Sequence, residues 1–154
     1  MARLRFAAVT STAEVALTTS LKTVLSITNT ADRRIAVRGF GISFDGISST
    51  AGAAEVLLVI HSSSGTATGI TLMKEVRGTT EALNTSGNVN FSAEPITTGT
   101  NQGVLRTYEV NPMTGYERAF AQDEEIELAG GERFGIQVRA SSAVNCHAFI
   151  NGEE

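Results

Sequence analysis

No window of twelve residues in this chain carries a helical apolar stripe with caps. Short β-compatible runs alternate instead with clusters of Gly, Ser, Thr, Asn and Asp. The stretch Arg34 to Phe44 is representative: Arg-Ile-Ala-Val-Arg-Gly-Phe-Gly-Ile-Ser-Phe runs into Asp45-Gly46, a strand meeting a tight turn. Glu55 to His61 holds Val-Leu-Leu-Val-Ile, a continuous apolar run expected of a core strand covered on both faces. Leu21 to Thr28 alternates, with Leu21, Leu25 and Ile27 on the face expected to be buried. Val104 to Val110 follows, with Val104, Arg106, Tyr108 and Val110 on one face, and Asn111-Pro112 ends its pairing. Tyr116 to Phe120, Glu125 to Leu128, Arg133 to Ala140 and Val144 to Asn151 complete the series. The pattern predicts an all-β, single-domain β-sandwich or jelly roll of roughly eight to ten antiparallel strands.

Two glycines, Gly39 and Gly41, bracket Phe40 inside the first of these strands. They are expected to mark a bend that lets the sheets close, with Phe40 and Phe44 in the core. Residues 1–13 read as a possible N-terminal arm, and 78–103 as a long contact loop holding at most a short strand around Val89 to Phe91. Leu83, Phe91 and Ile96 give that loop apolar anchors that a linker would lack.

Very little in the chain points to chemistry. A cupin-type metal site needs several histidines and a carboxylate, and the two histidines here, His61 and His147, lie in separate strands. Cys146 and His147 are adjacent, so on a strand they point to opposite faces and form no dyad. The single cysteine, Cys146, is expected to be a small core residue. No serine sits in a Gly-x-Ser-x-Gly elbow. Glu125 and Glu127 share a strand face, which reads as a solvated surface rather than a glycosidase pair across a cleft. Gly65-Thr-Ala-Thr-Gly69 lacks the Lys-Ser/Thr of a phosphate loop, and Gly39-Phe-Gly41 lacks a third glycine and a following helix. No catalytic residue, metal or cofactor is therefore expected.

The net charge of −4 and the scattered cations argue against a nucleic-acid partner. No apolar stretch approaches the roughly 20 residues of a membrane helix, and the N-terminal apolar patch is too short for a signal peptide. Ten of the twelve cations are arginine, the residue enriched at protein interfaces.

Three segments taken together resemble small virion proteins of tailed bacteriophages. They are Gly39-Phe-Gly-Ile-Ser-Phe-Asp-Gly46 with the following Glu55 to Ile60 strand, Arg106-Thr-Tyr-Glu-Val-Asn-Pro-Met-Thr-Gly115, and Gly130-Gly-Glu-Arg-Phe-Gly-Ile136 with the terminal Glu153-Glu154. The resemblance implies a capsid decoration (cement) protein with a jelly-roll core. Such a protein is made in the host cytoplasm and acts as a homotrimer on the major capsid protein lattice at the head surface. Its candidate contact residues are Arg3, Arg5, Phe6, Leu83, Phe91 and Ile96. The alternative is a receptor- or glycan-binding module of a tail fibre or spike, weakened by the absence of tryptophan and the presence of only two tyrosines.

Overall fold

The computed structural model describes residues 4–10, 14–30, 33–45, 52–100 and 102–154. Among them every regular element is a strand: β1 (Arg5–Val9), β2 (Val15–Leu17), β3 (Lys22–Asn29), β4 (Ile35–Asp45), β5 (Ala54–His61), β6 (Thr66–Ile70) and β7 (Met73–Lys74). The series continues with β8 (Thr85–Ala93), β9 (Gly103–Val110), β10 (Tyr116–Ala119), β11 (Ile126–Leu128), β12 (Arg133–Arg139) and β13 (Val144–Glu153). They form two antiparallel sheets, one ordered β10-β4-β13-β1-β7 with β11 also on β4 and β2 on β13, the other β6-β8-β3-β12-β5-β9. The protein is an all-β sandwich. Position 46 of the expected Asp45-Gly46 turn lies outside the described residues.

The core lies between the sheets. From the seven-stranded sheet come Phe6, Val37, Phe40, Leu128, Cys146 and Ile150, and from the six-stranded sheet Val24, Leu25, Ile27, Leu58, Phe134 and Ile136, all fully buried. Phe40 is central to its edge of the sandwich, with the rings of Tyr108, Tyr116 and Phe120 centred 5.4, 5.8 and 6.1 Å away. Aromatic rings at such separations attract beyond their area burial. Tyr108 comes from β9 and Tyr116 from β10, so this cluster joins edge strands of both sheets. Phe44, also expected inside, is half-buried against the same core.

Three expectations need correcting. Residues 5–9 of the presumed N-terminal arm are strand β1, paired with β13 from Arg5↔Glu153 to Val9↔Phe149, because alternating Phe6 and Ala8 supply a core-facing row. The presumed loop 78–103 contains the nine-residue strand β8. Its buried positions, Thr85, Gly87, Val89 and Phe91, include only two large apolar side chains, of which Val89 alone joins the core between the sheets. A Cβ on Gly87 would lie 2.8 Å from both Ile70 and Leu72, whose side chains fill that space instead. Leu21, expected on a buried face, is 38% exposed and precedes β3. A bulge at Val24, opposite the Ile136/Gln137 step, brings Val24 and Leu25 both into the core.

Candidate contact surfaces

Connectivity gives the outer faces of the two sheets different environments. In β5 the side chains of Val56, Leu58 and Ile60 point to the core, so Leu57, Val59 and His61 point outward, yet all three are buried. Thr23 and Gln137, which share their face, are buried too, and Gln137 Nε2 donates to Thr23 Oγ1 at 3.1 Å. Sheet order accounts for this. The connections from β5 to β6 and from β8 to β9 must each pass three intervening strands; the first is the segment 62–65 and the second includes 94–100. Hydrogen bonds lace these segments together and to the sheet. Ser62 N–H donates to Ile96 O at 2.7 Å, Ile96 N–H to Ser63 Oγ at 2.9 Å, and Thr23 N–H to Glu94 Oε2 at 2.8 Å. β8 takes part in the same covering. It pairs with β3 only as far as Asn88, and beyond Asn90, whose φ is +52°, it continues with β6 alone.

His61 sits at this covered face, where a Cβ on Gly135 would collide with its ring and neither ring nitrogen has a hydrogen-bond partner. Burial first, and the Arg133 charge second, push its pKa down to about 4. His147 lies on the other sheet's outer face, so the two histidines are not brought together. Cys146 is fully buried, and that burial raises its thiol to about 12, so it holds its proton. Among the described residues no group of three or more His, Cys, Asp or Glu could hold a metal ion.

The acidic run at 123–127 is tied into surface ion pairs. Glu127 meets Arg34 at 2.8 Å, Glu125 meets Arg38 at 3.1 Å, and Glu124 takes two bonds from Arg118 Nη2 at 2.9 Å. Those bonds hold the Glu124 carboxyl below the usual carboxylate range.

The candidate contact residues scatter over the molecule. Arg3 lies outside the described residues. Arg5 is exposed at β1 and pairs loosely with Glu153, at 3.6 Å. Phe6 and Phe91 are buried and offer nothing to a partner; Phe6 belongs to the core between the sheets, whereas Phe91 lies past Asn90, where β8 has left β3. Leu83 is half-buried against the core. Ile96, in contrast, is 57% exposed and lies at the corner where β5 ends and β9 begins. There it adjoins the start of β9, the edge strand that carries exposed Val104 and Leu105. Alternation alone places Val104 inside. A bulge at Leu105, opposite the Leu58/Val59 step, turns Val104 to the outer side beside Val59. Sequence gives no sign of that bulge, so this patch was not legible.

No protein-family model, curated protein or solved structure matches the chain.

Proposed function

We propose that the chain is a non-enzymatic virion structural protein, a jelly-roll capsid decoration protein that binds the mature phage head as a homotrimer. The observation that carries this reading is the corner at β9. An eight-residue strand is paired by the sheet on one side only, and exposed Ile96, Val104 and Leu105 lie at its start. An apolar patch on an open sheet edge is a place for a specific partner or else a liability. Docking against the shell or a second copy would cover it, and binding only the expanded lattice would stabilise that lattice by mass action. Three linked copies would slow release further.

The test is light scattering of the purified protein followed by co-sedimentation with expanded shells and with procapsids, at about 1 μM. A trimer that sediments with expanded shells alone is expected, and Val104→Asp should abolish sedimentation. A monomer that stays in the supernatant with both particles would overturn the reading.

A further inference from the structure

The outer face of the seven-stranded sheet remains open, and it is not flat. Its residues follow the ladder in rows: Val9, Phe149, Gly41 and Glu117 stand side by side on β1, β13, β4 and β10. The irregularity expected at Gly39 and Gly41 is found beside Gly39: neither glycine has a positive φ, but Arg38 bulges out of the ladder with β13, between the Val37↔Gly152 and Gly39↔Asn151 pairs. Both glycines also supply space. A Cβ on Gly41 would collide with the ring of Phe149, and a Cβ on Gly39 would lie 2.7 Å from Arg118 O. The missing side chains leave a groove in which Phe149 is held against the strand beside it. Space opens on both sides of that ring, about 570 Å³ toward His147 and about 230 Å³ toward Asn151. From His147 to Asn151 the groove runs about 13 Å along β13.

We propose that this groove binds a neutral saccharide chain, with Phe149 as the platform for a sugar ring. This goes beyond the decoration reading and does not depend on it. Three features of the groove point to that ligand class. Its volume and its mixture of aromatic residues, Phe149 among them, with a few polar groups are those of a small-ligand site. Its charges are mixed: Glu117 borders both lobes, while Arg5, Arg38 and Arg118 line the smaller one, so a polycation or a polyanion would meet its own sign. Finally, it lies on a sheet face whose backbone groups are used by the ladders, so a peptide strand gains no main-chain pairing there.

A sugar needs only what the face supplies, an apolar ring surface and groups that both give and accept hydrogen bonds. His147 at the larger lobe is steadied for this, its Nδ1 3.4 Å from Thr10 Oγ1 and its Nε2 3.6 Å from Glu14. Ser43 and Glu117 complete the polar rim.

The experiment is amide NMR titration of the ¹⁵N-labelled protein with chitotetraose, maltotetraose, cellotetraose and N-acetylarginine amide. Saturable shifts at Gly41, Ser43, His147 and Phe149 are expected with at least one tetrasaccharide, at a Kd of about 1 mM. Phe149→Ala should weaken binding about tenfold and Phe149→Tyr should keep it, as a stacking platform requires. Glu117→Gln, at an exposed position, tests the rim without touching the platform. Silence of the groove toward all three sugars at about 10 mM overturns the proposal. So do shifts that Phe149→Ala leaves unchanged, or saturation by N-acetylarginine amide alone, which would mark the groove as a seat for a cationic protein segment.

Discussion

The two sheets share a core but differ outside it. On the six-stranded sheet the outward residues Leu57, Val59 and His61 are buried, on the face to which segments 62–65 and 94–100 are tied through Thr23. On the seven-stranded sheet Val9 and Ser43 stay exposed, and Phe149 borders an open groove. The difference begins in connectivity. β5 and β8 are followed by partners on the far side of their own sheet, so the chain must cross that face, whereas the tight 111–115 turn delivers β9 into β10 at the sandwich edge. In that turn Gly115 has φ +65° and lies where a Cβ would sit 2.6 Å from Ile42 O. A closed face can hold an unpartnered imidazole; an open one can hold a ligand.

The largest effect should come from the core that the two sheets share. Phe40→Ala should cost about 3–5 kcal/mol in urea unfolding. Tryptophan is absent, so circular dichroism and amide NMR would follow both faces through one transition. Separate midpoints for Gly41 and Val59 would mean that the faces are independent units.

Acid should act on the closed face next. The His61 pKa is depressed in the folded chain, so the unfolded chain takes up the proton first as pH falls through about 6.5. Stability from this group is complete above that pH, declines through the interval down to about 4, and is lost below it. The full loss is about 3 kcal/mol. His61→Leu should remove that share of the pH dependence, read as the difference between the two proteins' denaturation curves at neutral and acid pH. Parallel curves would show that His61 is hydrated in solution.

A matched pair of glycine substitutions sharpens the contrast. In Gly135→Ala the new methyl meets His61, which is shut in, and the cost should be about 1–3 kcal/mol. In Gly41→Ala it meets the Phe149 ring, which can swing toward solvent, so the cost should stay below about 1 kcal/mol while the groove is obstructed. Equal costs would contradict the open-face description. The smallest effect belongs to the lacing. Glu94→Ala should cost about 1 kcal/mol and speed hydrogen exchange at the Thr23 amide.

Much of this was legible in the strands themselves. The continuous run Val56 to Ile60 shows that both faces of β5 are covered, and the alternation of Val144, Cys146, Ala148 and Ile150 shows that one face of β13 is not. The strand β8 was hidden because threonine and glycine stand at two of its inward positions, where other strands supply the volume. The groove was hidden for a related reason. Gly41 gives its space to Phe149, more than a hundred residues further on, and no local pattern links the two. Of the proposed contact residues, Ile96 came from reading the loop's apolar side chains as anchors, and it is exposed; the exposure of Val104 depended on a bulge with no signature of its own.

The place of β13 also governs how the chain reaches this state. It lies between β4 and β1, so the seven-stranded sheet has no centre until residues 144–153 have been synthesised. β1 can pair early only with the two residues of β7 and waits for β13 on its other side, with Phe6 and Ala8 facing no core and a bare ladder edge there until then. Such long-range pairing folds slowly and leaves sticky edges exposed in the meantime. The six-stranded sheet needs only residues 22–139, so it can assemble first and present the surface on which the other sheet closes.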